Sequence, residues 1–175
     1  MYTQGTKPDE PTPTIAFLRT ATPVGAWLLK ANPEMWDIHD ALTSGEQLDW
    51  WRLAHSYRVS LVHCGQPVGL WVTRSQNPRL RWGLAAIGRI TSEPSLQQDD
   101  LGDLRWGPLH RPDRRYYIEV TLELLPTWVS ATSLRHDPRT AGMEIFRAPR
   151  VASPVAVTPT EWQALLERST NGSVT

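Results

Sequence analysis

From Leu61 to Leu125 the sequence runs through one strand-forming segment after another, with turns rather than helices between them. Val68 to Thr73, Trp82 to Thr91 and Tyr116 to Leu125 are each built from apolar, aromatic or small residues. Leu61-Val62 is strand-like as well. Consecutive strands with no crossover helix pair antiparallel, because a parallel pair needs a long return connection. This excludes a doubly wound parallel sheet and predicts an α+β architecture with a curved sheet or barrel. At 175 residues the chain fits one domain and is too short for an eightfold strand–helix barrel.

Local signals place the remaining elements. Gly25 to Ala31 is an apolar run that reads as a buried strand, and Asn32-Pro33 ends it. Asp37 followed by Asp40, with Gly45 beyond, brackets a short helix from Ile38 to Ser44. A tight turn at Cys64-Gly65-Gln66-Pro67 leads into the strand where Val68, Leu70 and Val72 share one face and Trp71 and Thr73 the other. Gly83 and Gly88 mark a bulge or a close approach of backbone. Ser92 to Pro112 reads as a long loop carrying Asp99, Asp100, Asp103 and Trp106. Tyr116 to Leu125 alternates cleanly, and Pro126 is expected to end it. Ser130 to Met143 reads as short helical turns. Thr158, Pro159 and Glu161 form a capping box, with Val157 and Trp162 as its hydrophobic staple, for a helix to about Glu167. The expected division is a tail over 1–22, a domain over 23–168 and a short tail over 169–175.

Most enzyme chemistry is excluded by what is missing. The sequence has no G-x-S-x-G, H-E-x-x-H, P-loop or G-x-G-x-x-G motif, and its five histidines are scattered. His63 and Cys64 are neighbours, so on a strand they would point to opposite faces and could not act as base and nucleophile. The single cysteine reads as a small turn residue and the aspartates near 100 as a solvated loop, so no metal and no cofactor is expected. Apolar runs are too short to span a membrane, and the polar, Pro-rich start lacks a secretory h-region. A cytoplasmic setting is the default expectation.

The zero net charge conceals a gradient. Residues 1–49 carry a net −4, residues 50–115 a net +5 and residues 116–175 a net −1. The cationic middle also holds Trp50-Trp51-Arg52, Tyr57-Arg58, Trp71, Arg81-Trp82 and Arg105-Trp106. Nine tryptophans are many for core filler, since each indole N–H needs a partner. Flat rings beside guanidinium groups are what an unstacked nucleobase and its flanking phosphates require.

The order of segments resembles the EVE domains of the PUA-like group, relatives of the YTH domains. Ala26-Trp27-Leu28-Leu29-Lys30-Ala31-Asn32-Pro33 looks like the family's first strand. Trp50-Trp51-Arg52 with Tyr57-Arg58 resembles its Trp and Tyr–Arg segment. Gly65-Gln66-Pro67-Val68-Gly69-Leu70-Trp71 resembles its Gly-Asp-x-Val-x-x-Trp strand, with Gln66 for the usual Asp. Gly83 to Ile90 and Val157 to Trp162 match two further segments, so the likeness spans about residues 25–166. It implies an open, curved β-barrel of five to six mostly antiparallel strands flanked by short helices, with no enzymatic activity.

The resemblance also implies recognition of a modified base held in an aromatic cage. Carried over residue by residue, it assigns Lys30 and Asn32 to the base edge and Trp51 and Trp106 to the cage, with Tyr57 and Trp71 lining the same cavity. Ala31 replaces a small hydroxyl residue of the family, which removes one side-chain hydrogen bond. Arg52, Arg58, Arg74, Arg79 and Arg81 are the expected phosphate contacts. The expected partner is DNA or RNA carrying a methylated or hydroxymethylated cytosine or a methyladenine. The rival readings are a small-molecule enzyme using the same pocket and a scaffold whose tryptophans form an interface.

Overall fold

The computed structural model describes residues 15–98 and 113–171. It begins with an element the sequence did not announce, a short hairpin of β1 (Ala16–Phe17) and β2 (Pro23–Val24). Ala16 is buried in the core and the Arg19 guanidinium lies 4.3 Å over the Tyr57 ring. The part of the expected tail from residue 15 onward is therefore folded, while residues 1–14 lie outside the described residues.

β3 (Ala26–Ala31) is buried on both faces: Trp27, Leu29 and Ala31 point into one apolar cluster, Ala26 and Leu28 into another. This explains why its sequence is continuously apolar instead of alternating. α1 (Ile38–Ser44) follows within the predicted bounds; Asp37 accepts the Asp40 N–H at its start and Gly45 closes it at φ 76°. β4 (Trp50–Leu53) precedes a 3₁₀ turn at Tyr57–Leu61, then come β5 (Pro67–Val72), β6 (Gly83–Ile90), β7 (Ser95–Gln98) and β8 (Arg114–Ser130). α2 (Ala131–His136), α3 (Glu144–Arg147), β9 (Val155–Val157) and α4 (Pro159–Asn171) complete the order. In the last helix Thr158 and Glu161 exchange the two bonds of the capping box.

The strands run β4-β8-β6-β5-β3-β9 in one curled mixed sheet, with β7 paired beside β8. Only β3 and β5 are parallel; the other pairings in this sheet are antiparallel. The sheet curls into a half-barrel flanked by short helices, as the resemblance implied. Inside the curl lie Trp27, Leu29, Trp51, Leu53, Leu70 and Ile118. The outer face, with Leu28, Trp71 and Leu84, is covered by Leu134 of α2, Ile145 of α3 and Leu165 of α4. The two free edges meet through the Ala54 N–H, which donates to the Ser153 carbonyl at 2.8 Å. No helix among the described residues is long and apolar enough to cross a membrane.

Three local expectations are corrected. Leu61 ends a 3₁₀ turn instead of starting a strand, because the buried Gln66 organises that segment around itself. Its side-chain oxygen accepts the Trp27 indole N–H and the His63 N–H, both at 2.8 Å, and its amide donates to the Leu61 carbonyl. Part of the stretch read as a loop from Ser92 is the strand β7. Pro126 does not end β8. Leu84 pairs with Val129 and Ala86 with Leu124, so the chain from Leu125 to Trp128 bulges opposite Ala85, where no N–H is needed from proline. Gly88 fits the close approach inferred for it: a Cβ there would run into the Thr121 carbonyl oxygen of β8.

Beyond α2, the buried Asp137 accepts from Arg139 and from Arg168 of α4. The Arg139 and Arg168 bonds hold its carboxyl well below the usual carboxylate range. A carboxyl whose pKa is depressed on folding contributes stability above its unfolded pKa, and that stability is lost as pH falls through the folded value. The melting temperature should therefore drop more steeply in the wild type than in Asp137→Asn between about pH 5 and pH 2. Circular dichroism melts across that range test this, and parallel profiles for the two proteins would remove Asp137 from the account.

Candidate functional site

A cavity of about 330 Å³ opens at the seam where the half-barrel's edges meet. Its walls come from the end of β3, the turn into α1, the strand β4, Arg115 of β8 and the segment before β9. Each wall follows from a local rule. The Asn32 side-chain oxygen accepts the Glu34 N–H at 3.0 Å, and its carbonyl accepts the Met35 N–H at 2.9 Å. This Asx turn swings Met35 and Trp36 over the cavity. In β4, Trp51 and Leu53 point into the core while Trp50 and Arg52 alternate with them, and all four contribute to the wall at this free edge. The Trp36 and Trp51 rings stand 6.3 Å apart at 59°.

Lys30 sets the opposite wall. Its ammonium donates to the Pro149 and Val151 carbonyls at 2.7 and 2.6 Å, and its backbone N–H donates to the Ser153 hydroxyl at 2.8 Å. Burial lowers its pKa. An ammonium has three N–H groups, so one is left over in the cavity that Lys30 lines. The lining contains no carboxylate. The lysine, arginine and indole groups of the lining only donate, while the Ser153 hydroxyl accepts the Lys30 N–H and the Asn32 oxygen keeps a second lone pair beside its bond from Glu34, so the cavity offers a ligand mainly N–H donors between aromatic walls.

Of the residues expected at the base, the structure brings together Lys30, Asn32 and Trp51, with Arg52 beside them. It does not bring in the others. Trp71 is 2% exposed and packs edge-on against Phe146 on the outer face of the sheet. Tyr57 lies in a separate pocket with His55, His63 and Tyr116. Trp106 lies outside the described residues. Arg58 is not placed for phosphate: its guanidinium makes two bonds to Glu144, at 2.8 and 2.7 Å, and a third to the Pro154 carbonyl. Arg74, Arg79 and Arg81 lie on the loop from β5 to β6, outside the lining.

Sequence reasoning missed Met35, Trp36, Arg115 and Ser153 as wall residues. Trp36 had a usable signal, since a tryptophan between a strand end and the Asp37 cap has little core to enter. Ser153 and Arg115 had none, because their proximity is purely tertiary.

No family model matches the sequence, and no curated protein is significantly similar to it. Solved structures do match in fold. A hypothetical protein from Leishmania major is 17% identical with a TM-score of 0.60, covering 85% of this chain and 96% of its own. A protein from Rhodopseudomonas palustris, 18% identical, has a TM-score of 0.56 over 85% and 94% of the two chains. Human THYN1 protein, solved in complex with 5-methylcytosine-containing DNA, is 15% identical with a TM-score of 0.57 over 82% and 96%. At these identities the likeness establishes the fold.

Proposed function

We propose that this chain is a non-enzymatic nucleic-acid-binding domain that holds a modified base in the seam cavity. The observation that carries the reading is a ligand-sized cavity with tryptophan walls and mainly donor polar groups, placed at the open seam of a PUA-like half-barrel. Human THYN1 protein, of the same fold, is solved with DNA containing 5-methylcytosine, which supports DNA and a methylated cytosine as the first candidates.

In this mechanism a nucleotide leaves its stack and its base enters between Trp36 and Trp51. The Asn32 amide and the remaining Lys30 N–H donate to acceptors on the base edge. Arg52, with Arg115 of the opposite strand, neutralises the entering phosphate. Arg115 shares its charge with Asp113 at 2.6 Å.

A methyl group packed on an indole is worth about 1–2 kcal/mol. Single-modification oligonucleotides titrated against the full chain should therefore show a preference of about 5- to 30-fold over the unmodified strand. Equal affinity for every base, or no binding at any salt concentration, would refute the reading.

A further inference from the structure

We infer that the loop between β5 and β6 and the adjoining end of α2 form a second, base-independent contact, a cationic platform for the sugar–phosphate backbone beside the cavity. It rests on the proposed nucleic-acid role and extends it to a separate surface. Four exposed arginines, Arg74, Arg79, Arg81 and Arg135, occur on these two segments. Among the described residues no carboxylate pairs with any of their guanidinium groups. Elsewhere in the same structure Arg58, Arg115, Arg139 and Arg168 all have acidic partners.

The platform centres on Trp82. Arg74 and Arg135 both sit against its ring, at 5.9 and 5.4 Å from the centroid. Two like charges at one indole, with no acid between them, leave a positive potential that an anion would relieve. The half-buried ring gives both cations a π partner, Arg135 meeting the Phe146 ring at 5.0 Å as well, and neither contact neutralises the charge that phosphate oxygens would meet.

The loop is built to hold this arrangement. The Glu34 carboxylate accepts from the Ser75 hydroxyl and the Gln76 N–H, at 2.8 and 2.9 Å. His39 of α1 bonds to the Arg81 carbonyl at 2.8 Å. Asn77 turns the chain by accepting the Arg79 N–H. The Ala131 N–H donates to the Trp82 carbonyl and joins α2 to the same unit. The loop is thus fastened at two points to the segment that carries Asn32 and Trp36. A fastened backbone reduces the entropy lost when an anion docks.

Its position suits a strand whose base is in the cavity. Ala31 pairs with Val72 in the parallel β3–β5 ladder, and the Thr73 N–H donates to the Ala31 carbonyl. Both strands leave the sheet at this end, so Asn32 and Arg74 start from neighbouring strands about 4.8 Å apart. The segment that supplies a cavity wall and the loop that carries the platform therefore leave the sheet side by side.

The test uses Arg79→Gln/Arg81→Gln, whose side chains have no bonded partner among the described residues, and Arg74→Gln/Arg135→Gln as a second pair. Fluorescence anisotropy on duplexes with and without one 5-methylcytosine, over a series of salt concentrations, gives the slope of log affinity against log salt. Each lost phosphate contact should reduce that slope by about 0.9 on duplex DNA. Each double variant should weaken modified and unmodified DNA by the same factor and leave the preference unchanged. Salt slopes identical to wild type in both pairs would overturn the platform while leaving base reading intact. Loss of slope in the arginine variants, with no base preference in the wild type, would overturn base reading and keep the platform. Polyglutamate that competes as well as an oligonucleotide of equal charge would assign the surface to an acidic protein and overturn the inference.

Discussion

Trp36→Ala should weaken binding to a 5-methylcytosine oligonucleotide by at least about five-fold while the domain melts within a few degrees of wild type. Removing one stacking ring typically costs about 1–3 kcal/mol per base. Trp36 is half-buried on the turn before α1 and contributes its ring to the cavity wall. Trp51 is a poorer probe of the same cage. It is 8% exposed and belongs to the core cluster inside the curl. Truncating a buried tryptophan costs about 3–5 kcal/mol, or roughly 6–20 °C for a domain of this size. Trp51→Ala should thus lose stability and affinity together, and Trp36→Ala mainly affinity. Anisotropy and thermal melts on the same two preparations decide it. Wild-type affinity in Trp36→Ala would show that the ring does not touch the ligand.

Arg58→Ala should lower stability by about 2–3 kcal/mol, some 4–12 °C in melting temperature, and leave the salt dependence of binding unchanged. The Arg58 and Glu144 side chains are 13% and 17% exposed, so the pair is largely out of solvent. Glu144 also accepts the Ala156 N–H of β9, and Arg58 reaches the Pro154 carbonyl. One ion pair therefore fastens the 3₁₀ turn, α3 and the approach to β9. Removing one partner leaves the other charge uncompensated, which costs more than the pair contributes. Burial pushes the Glu144 carboxyl up, but the bonds from Arg58 and Ala156 outweigh it and the net shift is downward. The stability held by the pair is accordingly present above the ordinary carboxylate range and lost as pH falls below it. A phosphate contact predicts the opposite pattern, with an unchanged melt and a shallower salt slope.

Much of this was legible in the sequence because it is local. The α1 caps, the α4 capping box and the alternation of β8 depend on neighbours within a few positions, and each lies where the residues put it. Alternation had also set Trp71 on the face opposite Leu70; only the family likeness drew it toward the cavity, and packing against Phe146 decides for the outer face. Non-local facts were not legible. Pro126 reads as a stop until the bulge opposite Ala85 removes the need for its N–H. Arg58 next to Tyr57 reads as a nucleic-acid contact until Glu144, eighty-six positions away, occupies it. Gln66 looked like a departure from a pattern, yet it receives the Trp27 indole and shapes the turn. Of the site, Lys30, Asn32 and Trp51 could be named in advance because the family likeness marks them, and Arg52 because it is a cation beside an aromatic pair. Met35 and Trp36 enter through the Asx turn at Asn32, whereas Arg115 and Ser153 enter through the curl of the sheet, which no window of sequence contains.

That curl also fixes when the cavity comes into existence as the chain is made. The Lys30 ammonium meets the Pro149 and Val151 carbonyls across 119 and 121 positions of sequence. The seam bond joins Ala54 to Ser153, close to the last strand. A nascent chain that has emerged as far as β8 already holds both partners for most of its ladders, but it has no far wall to the cavity. Contacts of such long range form late, after the loops that separate them have been closed. The cavity is therefore completed late, as the segment from Pro149 to Ser153 docks. Until then the wall that β4 presents to the seam faces solvent, apolar surface of the kind that draws chaperones and other unfinished chains.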